Sequence, residues 1–519
     1  MLLVPPLLAS TLLYLGVPAS GLQLPFLAPT SPPDPASLPP SGRTFTLRHA
    51  LHAPTSHRHL APSRIDYSPR DLAAISALSP YSLSHTVPRT KRLRVQRPNS
   101  QAAFHAARRT AFRTKVARSS LTVRDDDDHL ADARLAAALE WHDADVEVPD
   151  TDDVETLAAF GRMTSNAYTT PDASGWYDIG GGWNRSDSFG WKEHGIRGHV
   201  FADDKNETIV VAIKGTSAFI VGGGTETSKN DKINDNLLFS CCCARVDWSW
   251  STVCDCYDSP NTCRQDCIEH AVMTKSAYYP VAIDLYNNIS AIYPHSQIWL
   301  AGHSLGGGLA AMLSRTYGVP SVSFESPGDL LPSRRLHLPL PPPPPPSSNR
   351  SLTAQQPPER SLQDELTTHV FHTADPIPMG VCTGTISTCA IGGFALESRC
   401  HTGKTILYDT VGRLGWSVDI RTHPIHIIID YLLKDDWGVK PKRLVDVDDG
   451  ARSRKDWLLG WWPGKGKKDD GDGDGDDGGG DQGDDEEKDD GQRKGRGVPE
   501  ARFEEDDCED CFKWSFIDG

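Results

Sequence analysis

The chain has 519 residues, of which 38% are apolar, and it contains 39 prolines and 44 glycines. This composition excludes a chain that packs into globular domains over its whole length, and it favours one ordinary core with long solvated segments. The net charge of −16 is uneven: residues 43–124 are rich in Lys and Arg, whereas residues 469–490 are dominated by Asp and Gly. The basic stretch could attract anionic lipid or nucleic acid, but a solvated arm is the simpler interpretation, and we expect no nucleic-acid partner.

The amino-terminal residues 1–28 carry no charged side chain and are rich in leucine. They match a signal peptide cleaved near Ala19 and equally a retained anchor, because about 20 mostly apolar residues reach across a bilayer. The residues alone leave both alternatives open. Residues 29–130 follow as a Pro-, Ser- and Arg-rich stretch without a helical or strand period, and we expect a disordered basic tether there.

The segment 131–440 shows the alternation of an ordered domain. The expected elements are a helix within 131–168, paired strands at 198–202 and 208–214, a long helix over 268–292, a strand at 297–301, a helix up to Gly318, strands at 319–324 and 368–372, and a last helix from Ile425. This order predicts an α/β fold with a mostly parallel central sheet and helices on both faces. Residues 331–364 are expected to form a Pro-rich inserted loop, and residues 441–519 an acidic, disordered tail.

The twelve cysteines indicate an oxidising compartment. Ten of them lie between Cys241 and Cys400 in an irregular pattern that suits disulfides better than a zinc site, so we expect no metal. Cys508 and Cys511 have redox-motif spacing but lack a βαβ setting, which argues against a redox role. Four sequons agree with a secretory route, at Asn184, Asn206, Asn288 and Asn349.

The strongest chemical signal is Gly302-His-Ser304-Leu-Gly306. This G-x-S-x-G pattern stands between an apolar strand and a helical run, which is the context of the nucleophile elbow of α/β-hydrolases. The turn is so tight that flanking glycines are needed, and it exposes the serine hydroxyl above the sheet edge. We therefore predict that Ser304 is the nucleophile of a serine esterase.

A serine nucleophile needs a histidine base and an orienting acid, which follow it in this fold in the order acid, then base. Asp375 comes directly after a predicted strand, which favours it as the acid over Asp409 and Asp419. Asp329 lies too close to Ser304 in the chain. The alternative for Asp375 is a structural role in a plain Asp-Pro turn. Four histidines are candidates for the base: His372, His401, His423 and His426. Position favours His423, which lies on a loop just before the last predicted helix.

An oxyanion hole needs preorganised N–H donors for the charge that develops on the carbonyl oxygen. One donor should be the amide of Leu305, at the start of the helix after the nucleophile. The other should come from the loop after an early strand, where Lys214-Gly-Thr216 follows the strongest predicted strand. A plain turn at Gly215 and Thr216 is the alternative.

The chain resembles the class 3 lipases, the fungal lipase family, and is most similar to the autophagic-body phospholipases of fungal vacuoles. The segments that carry the resemblance are Phe45-Thr-Leu-Arg-His49, Glu193-His-Gly-Ile-Arg-Gly-His-Val-Phe, Asp231-Lys-Ile-Asn-Asp-Asn-Leu-Leu-Phe-Ser-Cys-Cys-Cys, Gly302-His-Ser-Leu-Gly-Gly, Phe371-His-Thr-Ala-Asp-Pro-Ile, Glu397-Ser-Arg-Cys-His-Thr-Gly-Lys and Val418-Asp-Ile-Arg-Thr-His. The resemblance implies a triad of Ser304, Asp375 and His423, with Thr216 and Leu305 in the oxyanion hole. It also implies a mobile lid over residues 217–234 and no requirement for a metal or other cofactor.

The resemblance further implies a type II single-pass anchor, passage through the Golgi and multivesicular bodies, and breakdown of vesicle membranes in the vacuole. Phospholipids, notably phosphatidylserine, and neutral glycerides are the substrates it implies. Two other functions stay open on the residues: a lipase-like module that binds membranes without turnover, and a secreted, soluble carboxylesterase. Activity of a Ser304→Ala variant would separate the first of these from a lipase, and a mature chain starting near Ser20 would favour the second.

Overall fold

The computed structural model describes residues 45–54, 63–66, 88–119, 139–169, 177, 195–203, 205–216, 226–245, 251–339, 366–383, 387–434, 437, 497–504 and 508–517. The strands within them are β1 (Phe45–Pro54), β2 (Ser63–Asp66), β3 (Thr90–Pro98), β4 (Trp141–Pro149), β5 (Gly195–Asp203), β6 (Thr208–Ile213), β7 (Tyr257–Ser259), β8 (Thr262–Arg264), β9 (Gln297–His303), β10 (Ser321–Phe324), β11 (Thr367–His372), β12 (Lys404–Tyr408), β13 (Arg502–Phe503) and β14 (Ser515–Ile517). The helices are α1 (Gln101–Ser119), α2 (Val154–Asn166), α3 (Glu226–Phe239), α4 (Gln265–Lys275), α5 (Tyr278–Ile292), α6 (Leu305–Tyr317), α7 (Leu330–Arg335), α8 (Thr388–Gly392) and α9 (Thr410–Leu414). A 3₁₀ turn at Ile420–Thr422 and a π-helical turn at Ile428–Leu432 complete the described chain.

The central sheet of the described residues has nine strands in the order β13-β12-β11-β10-β9-β6-β5-β1-β2. The five strands from β12 to β6 run parallel to their neighbours, and the flanking strands pair antiparallel. The chain therefore has the α/β-hydrolase fold that the sequence predicts. Because the carboxyl ends of the parallel strands lie at one edge, the loops after β6, β9 and β11 meet there.

The sheet is covered on both faces, so its central strands are apolar without a break. Ile209, Val211 and Ile213 of β6 belong to one buried cluster, whereas Val210 and Ala212 belong to the other. Successive side chains of a strand point to opposite faces, and a parallel sheet between two helical layers buries both. This explains why the strongest strand signal in the sequence is a continuous apolar run.

The helical region 268–292 is divided, where one long helix was expected. The first part is α4, which ends at Lys275, and Ser276 has an extended backbone conformation. The second part is α5, with Pro280 in its first turn, where a proline needs no hydrogen-bonded N–H. The predicted helix within 131–168 is α2, and it is shorter than expected because β4 occupies residues 141–149. Its predicted apolar face of Leu157, Phe160, Met163 and Ala167 is buried.

The expectation of a disordered tether over 29–130 is wrong for the part of it that the structure describes. β1 pairs with β5 from Phe45↔Asp203 to Pro54↔Gly195 and with β2 on its other side. β3 pairs with β4 over nine positions. These strands are stabilised by backbone hydrogen bonds to segments far along the chain, which no local periodicity can reveal.

The expectation of a disordered tail over 441–519 is also wrong for residues 497–504 and 508–517. β13 extends the sheet beside β12, and β14 pairs with β8. Two disulfides attach this carboxy-terminal segment to the domain, Cys241–Cys511 and Cys400–Cys508. Cys508 and Cys511 are thus structural and do not pair with each other.

The remaining cysteines form four further disulfides, so the predicted disulfide framework is confirmed for all twelve: Cys242–Cys263, Cys243–Cys254, Cys256–Cys267 and Cys382–Cys389. The Pro-rich insert begins later than expected, since most residues between Pro332 and Leu338 are buried in the domain. Arg335 holds this segment by donating to the carbonyl oxygens of Ser240 and Cys241 at 2.7 and 2.6 Å.

No helix in the described ranges combines the length and the hydropathy needed to cross a bilayer. The predicted signal or anchor segment, residues 1–28, lies outside those ranges, as do the sequons at Asn184 and Asn349. Asn206 and Asn288 are both on the surface, where a glycan could be attached.

Candidate active site

Ser304 occupies a strained turn between β9 and α6. Its φ of 57° and ψ of −130° form a combination that residues with a side chain rarely adopt. A Cβ atom on Gly302 would lie 2.1 Å from the carbonyl oxygen of Gly306, and one on Gly306 would lie 2.3 Å from the oxygen of Ile213. Both flanking glycines are therefore required by backbone contacts, and the motif forms the nucleophile elbow.

The segment Lys214-Gly-Thr216 lies directly beside this turn. A Cβ on Gly215 would meet the carbonyl oxygen of His303 at 2.2 Å and the Cβ of Ser304 at 3.0 Å. Such close approach places the loop after β6 against the nucleophile, which is where a second oxyanion donor is needed. Leu305 is the first residue of α6, so the helix amino terminus begins next to Ser304.

The structure brings Asp375 and His423 together. The Nδ1 atom of His423 lies 2.6 Å from Oδ2 of Asp375, and both residues are buried. The other carboxylate oxygen, Oδ1, accepts from the backbone N–H of Ile377 at 2.9 Å. Burial raises the pKa of Asp375, but the interactions with His423, Glu325 and His372 outweigh this, so its pKa lies below the ordinary value. Asp375 is thus held as a carboxylate that orients the imidazole.

His423 lies close to the elbow. Its ring stacks at a tilt on that of His303, the residue before Ser304, with centroids 4.6 Å apart. His303 Nε2 donates to the backbone carbonyl of His423 at 2.9 Å. His423 is thereby held against His303, the residue before Ser304, although it lies 119 positions after Ser304 in the chain.

Tyr168 and His303 form a buried link between the loop after β6 and His423, and neither residue was predicted as part of the site. The hydroxyl of Tyr168 accepts from the N–H of Gly215 at 3.0 Å and lies 2.7 Å from Nδ1 of His303. Since Nε2 of His303 donates, Nδ1 is the acceptor, and burial lowers the pKa of His303 to about 3. The only sequence signal for His303 was its place inside the elbow motif.

The oxyanion segment is also connected to α3. The hydroxyl of Thr216 donates to Oδ2 of Asp235 at 2.5 Å, and burial raises the pKa of Asp235 well above its ordinary value. Lys214 is buried as well; burial lowers its pKa to about 8, and its Nζ lies 5.0 Å from the centre of the Tyr168 ring. Residues 226–234 of the expected lid belong to α3, and residues 217–225 lie outside the described ranges.

The rival histidines have other partners. His372 Nε2 donates to the carbonyl oxygen of Thr422, which supports the loop that carries His423. His401 lies 2.7 Å from Glu504 of the carboxy-terminal segment. Burial lowers the pKa of His426, and the charge of Asp430 opposes this only in part.

The rival acids also have structural positions. Asp329 accepts from the N–H of Thr402 at 2.8 Å and lies 3.3 Å from Nε2 of His369. Asp409 caps α9 through the N–H of Gly412, and Asp419 pairs with Arg421 at the 3₁₀ turn. Of the four candidate acids, Asp375 is the one that the structure places in contact with His423, so it stays the predicted triad acid.

Two groups of metal-ligand side chains lie close together among the described residues, Cys243 with Cys254 and Cys256, and Cys400 with Glu504 and Cys508. The cysteines of both groups are in disulfides. Since a metal ligand must be a thiolate, these groups do not fit a metal site.

Comparison with known proteins decides the family. A family model described as "Phospholipase-like: Tle-like phospholipase domain" matches residues 261–333. A protein of Cryptococcus neoformans var. neoformans serotype D named "Putative lipase ATG15" is 47% identical over 398 residues, which are 73% of this chain and 70% of that protein. The protein of the same name from Mycosarcoma maydis is 44% identical over 423 residues, covering 80% and 76%. The chain belongs to the ATG15 lipase family.

Solved lipases also align with the chain. They include Lip2 lipase from Yarrowia lipolytica, with a TM-score of 0.24 and 16% identity over 48% of this chain and 77% of that one. The lipase from Rhizopus microsporus var. chinensis has a TM-score of 0.24 and 14% identity over 49% and 74%. Membership of the ATG15 family makes the chain a lipolytic hydrolase.

Proposed function

We propose that this lipase is a serine carboxylic-ester hydrolase with the triad Ser304, Asp375 and His423. The observation that carries this proposal is the buried bond of 2.6 Å between His423 and Asp375 beside a strained elbow. Ser304 Oγ attacks the acyl carbonyl while His423 Nε2 takes its proton, and the negative charge on the carbonyl oxygen is met by donors at Leu305 and Thr216. His423 returns the proton to the leaving alcohol, and the acyl-enzyme is then hydrolysed by a water that His423 deprotonates.

The substrates we propose are the acyl esters of membrane phospholipids, notably phosphatidylserine, and of glycerides. Membership of a lipase family and the phospholipase-like match over 261–333 support a lipid ester. We further propose that the protein breaks down autophagic bodies and multivesicular-body vesicles in the vacuole lumen. The membranes of those intralumenal vesicles would be its partners.

We also propose that residues 1–28 form a type II single-pass anchor that keeps the catalytic domain on the lumenal side of the Golgi and endosome until delivery. Six disulfides support a lumenal location, because such bonds persist in oxidising compartments. Extraction of membranes with alkaline carbonate tests the anchor. Release of the full chain into the supernatant would contradict it and favour a cleaved signal peptide.

The activity is tested with vesicles that contain phosphatidylserine, compared with vesicles of phosphatidylcholine alone and with a triglyceride emulsion. The full chain should release fatty acid fastest from the vesicles with phosphatidylserine. Ser304→Ala should abolish release from all three, whereas Ser251→Ala, at an exposed serine, should leave it unchanged. Undiminished release by Ser304→Ala would overturn the triad, and release confined to soluble esters would point to a carboxylesterase.

Binding of vesicles with no release of fatty acid by the wild-type chain would instead indicate a membrane-binding module.

The role of the acid and base is tested with Asp375→Asn and His423→Ala. Each should reduce kcat by about four orders of magnitude, since the members of a triad act as a unit.

A further inference from the structure

Glu325 is a fully buried carboxyl group that the triad chemistry leaves unused. It directly follows the last residue of β10, and Asp375 lies three positions after the last residue of β11. β10 and β11 are parallel neighbours in the sheet. Its backbone has a φ of 45°, a conformation that residues with a side chain seldom adopt. The two carboxyl groups therefore leave adjacent strands at the same edge and lie against each other.

The surroundings of Glu325 do not suit a negative charge. Neither carboxyl oxygen has a hydrogen bond of good geometry within the described residues. Nε2 of His372 lies 3.4 Å from Oε1, but this atom already donates to the carbonyl of Thr422. The backbone N–H of His372 favours the ionised form of Glu325, but burial and the charge of Asp375 outweigh it, so the pKa of Glu325 is raised. Burial lowers the pKa of His372 to about 4, so it offers no positive charge near neutral pH. A buried carboxylate without a cation is strongly unfavourable, and such a group keeps its proton instead.

Asp375 is the natural acceptor for that proton. Its Oδ1 accepts a hydrogen bond from the backbone N–H of Ile377, and its Oδ2 accepts one from Nδ1 of His423. Each carboxylate oxygen can accept a second hydrogen bond. Two adjacent carboxyl groups cannot both ionise, and the one that faces a histidine is the one that gives up its proton. Burial, with the charge of Asp375 added, raises the pKa of Glu325 well above its ordinary value, while the pKa of Asp375 stays low.

We propose that Glu325 is a positioning residue of the triad, a protonated carboxylic acid that donates a hydrogen bond to Asp375. This inference rests on the proposed triad. The donated bond fixes the rotamer of Asp375 and withdraws part of its negative charge. Because Asp375 then stabilises the imidazolium of His423 less, His423 stays neutral, and usable as a base, to lower pH.

Three other histidines lie near Glu325, Asp375 and His423. His303 packs on His423 from β9, and His372 faces both Glu325 and Asp375 from the end of β11. His426, on the same segment as His423, also acts on His303. Burial lowers the pKa of His303, His372 and His426, so each of them takes up a proton less readily than an ordinary histidine.

The test is the acid limb of kcat/KM for p-nitrophenyl butyrate, with the product quantified by chromatography. Glu325→Leu removes the donor, so the midpoint of the limb should move up by about one pH unit, as expected for the loss of one hydrogen bond to a charged group. Glu325→Gln keeps an N–H donor, so its midpoint should stay at the wild-type pH even if kcat falls. Glu269→Gln is the matched control, because Glu269 is a buried acid paired with His337 away from the elbow, and it should change neither midpoint nor rate.

An ionised Glu325 would shift the midpoint of the acid limb in the opposite direction. If Glu325 were ionised, both variants would remove a negative charge near His423 and would move the midpoint to lower pH. No shift in either variant would make Glu325 a packing residue only. If Glu325→Leu does not fold, Glu325→Gln alone still separates a protonated from an ionised carboxyl.

A second measurement does not depend on activity. The infrared difference between wild type and Glu325→Gln at pH 7 should show the loss of one carboxylic-acid carbonyl band, since exposed carboxyls are ionised at that pH. A difference confined to carboxylate bands would overturn the proposal. Failure of the triad would appear separately, as activity that survives Ser304→Ala.

Discussion

His303 donates from Nε2 to the backbone carbonyl of His423 at 2.9 Å, so the residue beside the nucleophile holds the residue proposed as its base. The same imidazole is fixed from its other side by the hydroxyl of Tyr168, which also accepts from the N–H of Gly215. The proposed nucleophile, base and oxyanion segment are thereby connected through the side chains of Tyr168 and His303, to which we assign no reacting role. A shift at any of them should misplace the others.

The Tyr168–His303 link can be tested by removing its hydrogen bonds. His303→Leu should lower kcat by about 100-fold with a small effect on KM, because a displacement of about 1 Å in the base is that costly. Tyr168→Phe should lower kcat by less, since it leaves the bond from His303 to His423 in place. Tyr317→Phe is the control, because its hydroxyl bonds Asn287 away from the elbow. A rise in KM with unchanged kcat in His303→Leu would show that the link serves binding instead.

The elbow glycines should be irreplaceable. Gly306→Ala would place a Cβ 2.3 Å from the oxygen of Ile213, and backbone atoms of β6 cannot move away without breaking the sheet. We expect a loss of folding stability of more than about 3 kcal/mol or a chain that does not fold, measured by thermal denaturation. Gly415→Asn is the control: Gly415 has a φ of 67°, which asparagine tolerates, and open space around it. Equal stability of the two variants would contradict the steric account.

The ion pair of His401 with Glu504 should stabilise the attachment of the carboxy-terminal segment more at acidic pH. Burial lowers the pKa of His401, but Glu504 and Asp329 outweigh it, so the folded pKa lies above 6.5. A histidine whose folded pKa is raised contributes its full stability below pH 6.5, and the contribution is lost as the pH rises through the folded pKa. The difference in Tm between wild type and His401→Gln should therefore be larger at pH 5 than at pH 9. A difference that grows with pH would mean that His401 is held neutral.

The long-range disulfide of this segment should matter more than a local one. Cys400–Cys508 closes a loop of 108 residues, whereas Cys382–Cys389 closes one of 7. Restriction of the unfolded chain predicts a stabilisation of about 5 kcal/mol for the first and about 2.5 kcal/mol for the second. Double serine variants of each pair, compared by guanidinium unfolding, measure the two values. Equal losses would show that the constraint of the unfolded chain is not the main effect.

Much of the fold could be predicted from local patterns. The continuous apolar run of β6, the face of α2 and the strand-turn-helix around Ser304 are each written in neighbouring residues, so their positions are confirmed. Oxidised cysteines follow from their number and irregular spacing. The strands β1 and β13 were not predicted, because they are stabilised by pairing with β5 and β12, which lie far along the chain. The disulfide between Cys400 and Cys508 likewise joins distant segments.

The candidate site also has one part that local sequence predicts and another that depends on tertiary contacts. Ser304 is marked by glycines whose absence of a side chain is a local steric need, so the sequence by itself determined the elbow. Only the tertiary structure decided that His423 reaches Asp375 and that Tyr168, His303 and Glu325 surround them, since these contacts join residues brought together by the ends of parallel strands. Whether a buried carboxyl such as Glu325 carries a charge depends on what it meets inside the protein, and no spacing along a chain records that.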